Sequence, residues 1–220
     1  MHSAVQNYKE IIKAIEQRLK DQNINKIPKV IAVSKTFGID KILPLIEYGH
    51  LDYGENKVQE ALEKWSDIKL KRSDIQLHLI GKLQSNKAKF AVKIFDYIHS
   101  LDSEKLAKKI SDEEIKQNKK TKLFIQVNIG NEDQKSGIPK KQLVDFYNFC
   151  KNLNLNIIGL MCIPPQEGES QKYFKEMKRF KQSLNLNELS MGMSSDYLQA
   201  IDCASTYLRI GSSIFGKRDY

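Results

Sequence analysis

The sequence contains only three cysteines among its 220 residues, and no two of them form a CxxC pair. An odd number of widely spaced cysteines disfavours a disulfide-stapled secreted domain and suits a reducing compartment. The N-terminus has no apolar signal core, and no later run is as long as a membrane span. We therefore expect a cytoplasmic protein with no membrane partner.

Motifs for several common cofactors and metals are also absent. No GxGxxG or GxxxxGK(S/T) sequence follows the first predicted strand, which removes the usual dinucleotide and P-loop signatures. The histidines and cysteines lack zinc-ligand spacing, and paired carboxylates for acid–base chemistry are scarce, so hydrolase and zinc functions are disfavoured. Because no linker, low-complexity tract or repeat marks a boundary, we expect residues 1–220 to form a single domain.

The charge of the chain is one-sided. Lysine and arginine number 36 against 27 acidic residues, giving a formal net charge of +9. A positive net charge favours anionic partners such as phosphate compounds, nucleic acid or membrane surfaces. The lysines are spread along the whole chain, however, and the run KLQSNKAKFAVK is more typical of a solvated helix face than of a nucleic-acid groove. We expect no nucleic-acid partner.

The apolar pattern alternates between strand-like runs and helical stretches with a period of i, i+3, i+4. Residues 1–27 predict an N-terminal helix that packs on the fold through a face running from Tyr8 to Leu19. Pro44 is compatible with the helix after the first strand only if that helix starts near Asp40 or later. Eight strands between helices predict a parallel sheet closed into a (β/α)8 barrel, with a doubly wound open sheet as the alternative. The predicted strands are residues 29–34, 50–54, 75–81, 96–101, 122–129, 156–163, 188–192 and 206–213.

Polar residues follow several predicted strands, at the end where barrel proteins place their active sites. The run IAVSKT ends a buried strand on Lys35, whose amine either reaches back to solvent or is held for chemistry. The other strand ends supply further polar groups, among them amide, hydroxyl and guanidinium groups. Their presence favours the interpretation that the Lys35 amine is held for chemistry. They include Asn56, His78, Lys82, Asn128, Ser194, Ser195, Arg209, Ser212 and Ser213.

Two segments have the composition of phosphate-binding turns. SMGMSSDYLQAID places Ser194 and Ser195 before an amphipathic helix, and RIGSSIFG supplies a glycine-serine turn after the last strand. Phosphate sites in barrels form from the loops after strands seven and eight, where both segments fall. Each segment alone is also explained by a helix cap or a tight turn, but together with Lys35 they predict an anion site.

Five motifs follow one another through the chain: IAVSKT, YGENKVQE, HLIGKLQSNKAK, LSMGMSSDYLQAI and STYLRIGSSIFGKRDY. From about Lys29 to Tyr220 they resemble the successive motifs of the pyridoxal phosphate homeostasis protein family. Members of that family are single-domain relatives of the alanine racemase N-terminal barrel. The resemblance implies a TIM-type barrel of fold type III with an extra N-terminal helix, and pyridoxal 5′-phosphate (PLP) as the cofactor. FIQVNIGNEDQKSGI and GLMCIPP fit the same pattern.

The resemblance also implies roles for individual residues. Lys35 matches the lysine that forms the Schiff base, or internal aldimine, with PLP, and Asn56 matches a residue beside the cofactor ring. Arg209 matches the residue that faces the pyridine nitrogen. Lys82 is a departure, because proline is frequent at that position, and it adds a charge near the mouth of the site. The matching phosphate-binding positions are Ser194, Gly211 and Ser212, with Ser195 next to them.

An arginine at the pyridine nitrogen disfavours deep carbanion chemistry. A guanidinium stays protonated, so Arg209 can donate a hydrogen bond to the ring nitrogen but cannot protonate it. Without a positive ring, the cofactor is a weaker electron sink. We therefore expect a non-catalytic carrier for intracellular PLP homeostasis, which holds PLP as the Lys35 aldimine without substantial turnover and has PLP-dependent apo-enzymes as recipients.

An amino-acid racemase-type PLP enzyme with weak activity is the alternative. Two-base racemisation needs a second acid/base group, which in the alanine racemases is a tyrosine of a C-terminal β-domain, completed across a dimer. The sequence ends seven residues after Ser213, so we expect that domain to be absent and the chain to be a monomer.

Overall fold

Parallel strands form a closed barrel in the computed structural model, which describes residues 2–132, 134–166 and 169–216. Within those residues eight strands pair in the order β1-β2-β3-β4-β5-β7-β8-β9, and β9 pairs back onto β1. The predicted (β/α)8 architecture is therefore confirmed. The strands are β1 (Lys29–Val33), β2 (Asp52–Glu55), β3 (Gln76–Leu79), β4 (Tyr97–Leu101), β5 (Lys122–Asn128), β6 (Ile138–Pro139), β7 (Ile157–Met161), β8 (Glu188–Ser190) and β9 (Tyr207–Ile210).

Helices surround the barrel and lie between successive strands. Short 3₁₀ turns precede α4 and α6, at Ser85–Lys87 and Lys140–Gln142. The helices are α1 (Ser3–Asp21), α2 (Ile39–Glu47), α3 (Val58–Lys71), α4 (Ala88–Ile94), α5 (Glu104–Gln117), α6 (Leu143–Asn152), α7 (Ser170–Ser183), α8 (Tyr197–Asp202) and α9 (Ser212–Phe215).

The structure differs from the predicted elements in several places. The two-residue strand β6, which the sequence pattern did not indicate, pairs with the end of β5 outside the closed barrel. The last predicted strand, 206–213, stops at Ile210, and Ser212 begins α9 instead. Helix α2 begins at Ile39, next to Asp40 as Pro44 requires, and Pro44 lies in its second turn. Asp133 and the final four residues of the last motif, 217–220, lie outside the described residues.

The N-terminal helix packs on the outside of the barrel, against α2, α8 and α9. Its apolar face buries Ile11, Ile15 and Leu19. Polar contacts fix its position: the Asn7 side chain donates to the Ile214 carbonyl of α9 at 3.0 Å, and Arg18 Nε donates to Asp202 of α8 at 2.8 Å. Because α8 and α9 follow the two predicted phosphate turns, α1 supports both from behind.

Apolar side chains fill the molecule on both sides of the barrel wall. The larger cluster lies between the strands and the surrounding helices, as expected for strands buried on both faces. A smaller cluster lies inside the barrel, where strands from around the circle each contribute one large side chain. Its members are Ile31, Tyr97, Phe124, Met161 and Tyr207.

Within the part of the chain that the structure describes, no helix has both the length and the apolar character that a membrane crossing requires.

His50 connects α1 to the start of β2. Its Nε2–H donates to the Asp52 carbonyl at 2.8 Å, and its Nδ1 accepts from the Tyr8 hydroxyl at 3.2 Å. This tautomer follows because a carbonyl oxygen can only accept. Burial lowers the pKa of His50 to about 4, against smaller opposing effects of Asp52. The ring is therefore neutral at pH 7 in the folded protein.

We expect the stability of the fold to decrease as the pH falls from 7 to 5. In this window the unfolded chain, with an ordinary histidine pKa near 6.5, binds a proton that folded His50 does not bind. The contribution is complete above pH 6.5, and the loss from this one residue at pH 5 is about 2 kcal/mol.

The variant His50→Gln isolates this effect, because its amide can still donate to the Asp52 carbonyl but does not titrate. Urea unfolding of both proteins at pH 7 and pH 5 should show a smaller pH-dependent loss of unfolding free energy in the variant. Equal losses in the two proteins would contradict the assignment of the effect to His50.

Candidate functional site

A cavity of about 600 Å³ opens at the carboxyl ends of the barrel strands. This is the end of the fold where barrel proteins place their sites. The lining of the cavity includes every site residue that the sequence predicted. These residues come from β9 and the turn after it, and from the loops after β1, β2 and β8. They are Lys35, Asn56, Ser194, Ser195, Arg209, Gly211 and Ser212.

Lys35 lies in a turn just beyond β1 and is half-buried at the cavity wall. The predicted strand, 29–34, is one residue too long, since β1 stops at Val33, and Lys35 follows two residues later rather than ending the strand. Thr36 follows with a φ of 68°, in the left-handed region that non-glycine residues seldom adopt. Its backbone N–H donates to the Glu60 carboxylate at 2.7 Å, and this contact holds the strained turn in place.

A buried carboxylate supports the same turn from below. One oxygen of Glu55, at the end of β2, accepts hydrogen bonds from Ser34 Oγ at 2.7 Å, Trp65 Nε1 at 2.9 Å and Lys64 Nζ at 3.0 Å. Lys64 also donates to the Ser34 carbonyl and to Glu60 at 3.0 Å. Burial raises the pKa of Glu55, and the Lys64 charge and the three donors oppose that rise. The network links the residue before Lys35 to α3.

The two predicted phosphate turns meet in space. The backbone N–H of Ser213, in the first turn of α9, donates to Ser194 Oγ at 3.3 Å. Gly211 lies so close to β1 that an added Cβ would be 3.2 Å from the Cβ of Val33. Backbone N–H groups and serine hydroxyls from both turns therefore border one part of the cavity, which is the donor set that a phosphate group requires.

Arg209 brings a positive charge to the inner wall of the cavity. The side chain is only 4% exposed, its Nη1 donates to Ser190 Oγ at 2.7 Å, and its Nη2 donates to the Cys162 carbonyl at 2.9 Å. Among the described residues no carboxylate forms an ion pair with it. Burial lowers the pKa of Arg209 from its very high ordinary value, and a guanidinium in a protein remains protonated.

The structure adds lining residues that sequence reasoning did not select. Gly81 is one, because an added Cβ there would lie 2.3 Å from the carbonyl oxygen of Asn56, so only glycine permits the observed position of Asn56. Lys135 is another, and its Nζ donates to the Pro164 carbonyl at 3.1 Å. Both lie within motifs of the family pattern, HLIGKLQSNKAK and FIQVNIGNEDQKSGI, and that membership was the available signal. Further lining residues are Gln126, Gln134, Ser136, Ile163 and Met193.

Some of the polar residues near strand ends are engaged in other hydrogen bonds or lie away from the cavity. Lys82 and Asn128 both line it, but the Asn128 amide is engaged with Glu132, donating to its carbonyl at 2.9 Å and accepting from its N–H at 3.1 Å. His78 is fully buried inside the barrel and does not appear in the lining. It lies within β3, on the third predicted strand as expected, but it does not reach the cavity.

We expect the Glu55 network to be a main determinant of local stability. Glu55→Ala leaves the Trp65 donor buried without an acceptor and leaves Ser34 Oγ only its longer contact of 3.4 Å to the Gly54 carbonyl, and it should lower the unfolding free energy by about 3 kcal/mol. Glu55→Gln keeps one oxygen that accepts these bonds and replaces an oxygen with no hydrogen-bond partner among the described residues. Urea unfolding should therefore show a loss no more than half as large. A loss as large for glutamine as for alanine would contradict this account.

Comparisons with known proteins agree with the geometry. The family model described as the N-terminal domain of alanine racemase matches residues 6–219. A pyridoxal phosphate homeostasis protein of Pasteurella multocida (strain Pm70) is 37% identical over 203 residues, which cover 87% of each chain. A protein of the same name from Aquifex aeolicus (strain VF5) is 36% identical over 220 residues, covering 96% of this chain and 94% of that one.

Solved structures give the same result. PipY of Synechococcus elongatus PCC7942, determined with PLP bound, is 34% identical, has a TM-score of 0.80 and covers 92% of this chain and 100% of its own. An alanine racemase of Clostridium difficile 630 has a TM-score of 0.69 at 13% identity and covers 95% of this chain and 57% of its own, a likeness of fold alone. The chain therefore belongs to the pyridoxal phosphate homeostasis protein family, which is built on the alanine racemase N-terminal domain.

Proposed function

We propose that this chain binds PLP in the cavity at the carboxyl ends of the barrel strands. The observation that carries the proposal is that one cavity combines a lysine amine, a two-turn phosphate cradle and a buried guanidinium, at Lys35, Ser194 to Ser213 and Arg209. A volume of about 600 Å³ is sufficient for a cofactor of this size. The PLP-bound structure of the homologue PipY supports the same ligand.

Each lining group has a role in this proposal. Ser194, Gly211 and Ser212, with Ser195 beside them, donate to the phosphate through hydroxyl and backbone N–H groups. Asn56, whose position depends on Gly81, lies beside the ring. Arg209 donates to the pyridine nitrogen, because it lines the cavity and its hydrogen bonds to Ser190 and Cys162 use only two of its five N–H donors.

Lys35 is proposed to hold the cofactor covalently. Its unprotonated Nζ would be the amine that condenses with the aldehyde of PLP, with loss of one water molecule, so that Lys35 would hold the cofactor as an aldimine. When bound, PLP supplies a reactive aldehyde conjugated to an aromatic ring. The turn that carries Lys35 is fixed through Ser34 and Thr36 by the Glu55 and Glu60 carboxylates, so the amine is presented to the cavity without a large ordering cost.

The proposed role is to store and release PLP without substantial turnover. Arg209 cannot transfer a proton to the ring nitrogen, and the described part of the lining contains no tyrosine or histidine that could act as a second acid/base group. We propose PLP-dependent apo-enzymes as recipients and a single barrel domain that acts as a cytoplasmic monomer, without nucleic-acid or membrane partners. The buried, unpaired thiols of all three cysteines are consistent with a reducing compartment.

We expect purified protein incubated with PLP to be yellow, with a visible absorption band that borohydride reduction removes. Peptide mapping should then place the reduced adduct on the peptide that contains Lys35. Lys35→Ala should lose the band and bind PLP at least tenfold more weakly, since only the phosphate and ring contacts remain. Lys82→Ala and Lys135→Ala are matched controls, because both remove a lysine from the same cavity, and both should keep the adduct. An adduct that persists in Lys35→Ala would overturn the assignment.

The absence of turnover is a separate prediction. Proton NMR of L-alanine in D₂O with PLP-loaded protein should show no exchange of the α-proton beyond that produced by free PLP. Exchange that requires both the protein and Lys35 would instead support the racemase-type alternative.

A further inference from the structure

A row of polar side chains crosses the interior of the barrel, and the proposed function uses only Arg209, at one end of it. It begins at Arg209, whose Nη1 donates to Ser190 Oγ at 2.7 Å. Ser190 Oγ is 2.8 Å from His99 Nδ1, and His99 Nε2 is 3.0 Å from His78 Nδ1. His78 Nε2 is 3.0 Å from Oδ1 of Asp52. We call these five residues the barrel relay.

The barrel relay connects two charged ends through neutral groups. Asp52 is the first residue of β2, at the amino-terminal mouth of the barrel, and Lys29 lies 3.6 Å from its carboxylate. Burial disfavours the Asp52 charge, but the hydrogen bond from His78 and the charge of Lys29 outweigh it, so the pKa of Asp52 lies below its ordinary value. Burial lowers the pKa of both His78 and His99. Both rings are therefore neutral at pH 7.

These charge states allow only one direction for the hydrogen bonds. An ionised Asp52 can only accept, so neutral His78 carries its proton on Nε2 and accepts at Nδ1. His99 must then donate from Nε2 and accept at Nδ1, which makes Ser190 the donor to His99. Arg209 can only donate, and Ser190 accepts from it with a remaining lone pair. Every proton in the barrel relay thus points from the cavity toward Asp52.

Aromatic contacts hold the two imidazole rings in these orientations. His78 is stacked on Tyr97 with ring centroids 4.2 Å apart, and His99 is stacked on Phe124 at 4.3 Å. Tyr207 packs against both histidines from β9, at centroid distances of 6.0 and 6.1 Å. A ring that is packed on its face cannot turn freely, so the direction of the hydrogen bonds is built into the interior packing.

We propose that Ser190, His99, His78 and Asp52 are positioning residues that hold Arg209 in the orientation in which it contacts the ring nitrogen of PLP. This inference rests on the proposed function. Its basis is that the guanidinium is buried without a carboxylate in contact, so its orientation depends on Ser190 and on the Cys162 carbonyl. Ser190 can accept from Arg209 without competition only while its own proton is directed to His99. A carboxylate at the far mouth of the barrel therefore sets the geometry at the cavity.

The first experiment examines the cofactor-free protein. Long-range ¹H–¹⁵N correlation spectra of ¹⁵N-labelled protein at pH 7 report the tautomer of each of the four histidines in the chain. We expect His78 and His99 both to be neutral and protonated on Nε2. In Ser190→Ala, His99 loses its donor at Nδ1 but should keep its own proton on Nε2, because His78 Nδ1 still accepts from it. A charged His78, or protonation of His99 at Nδ1 in the unaltered protein, would overturn the direction of the barrel relay.

The second experiment measures coupling between Ser190 and Arg209 in PLP binding. Ser190 does not line the cavity, so Ser190→Ala should weaken PLP binding only through Arg209. We expect at least a tenfold increase in the dissociation constant, and less than a twofold further increase when Ser190→Ala is added to Arg209→Gln. Equal effects in both backgrounds, or no effect in either, would overturn the positioning role.

Ser205→Ala is the matched control. Ser205 is also a buried serine of the barrel, with Oγ donating to the Met191 carbonyl at 2.7 Å, but it is not part of the barrel relay. It should leave PLP affinity within twofold and both histidine tautomers unchanged. A protein that takes up no PLP at all would refute the proposed function, whereas the tautomers of the cofactor-free protein would still decide whether the barrel relay exists.

Discussion

The pairing of β9 with β1 is the constraint on which the site depends. The two strands run in parallel with Lys29 opposite Tyr207 and Ala32 opposite Ile210, so their carboxyl ends lie side by side. This register brings Lys35, near the beginning of the chain, next to the glycine-serine turn at its other end. Gly211 approaches Val33 so closely that a side chain there would require Val33 to shift by a few tenths of an ångström. A sheet that remained open between these strands would separate the amine from the phosphate cradle by the width of the fold.

Glu55 and Arg209 are buried charges of opposite sign, and their surroundings differ. Glu55 has a cation in direct contact, with further donors from Ser34 and Trp65, and the result is a rigid support under the Lys35 turn. Arg209 has a hydroxyl and a carbonyl as direct partners instead, and Asp196 acts on it electrostatically without forming an ion pair among the described residues. A direct ion pair would occupy N–H donors of the Arg209 guanidinium that a ligand could use, whereas neutral acceptors leave its other N–H donors available.

In the function that we propose, this arrangement holds a reactive aldehyde rather than turning it over. The contacts proposed for the phosphate, the ring nitrogen and the aldehyde are all binding contacts, and none of them supplies a proton to the ring. In the proposed function, PLP can be released once its covalent bond to Lys35 is reversed, because each of the remaining contacts is weak on its own. Storage and delivery of PLP require both a covalent bond that holds it and non-covalent contacts weak enough to let it leave.

The sequence alone indicated the barrel class, the position of Lys35 near a strand end and the two serine-containing turns that border the cavity, because periodicity, turn composition and motif order are local properties of the chain. It did not reveal why Thr36 adopts a left-handed conformation, or that Gly81 makes room for Asn56, since each depends on a contact with another loop. The barrel relay was equally out of reach. Asp52, His78, His99 and Ser190 lie on four different strands, and each one alone reads as an ordinary buried polar residue. These residues form one directed row of hydrogen bonds only because the register of the closed barrel aligns those strands around a common interior.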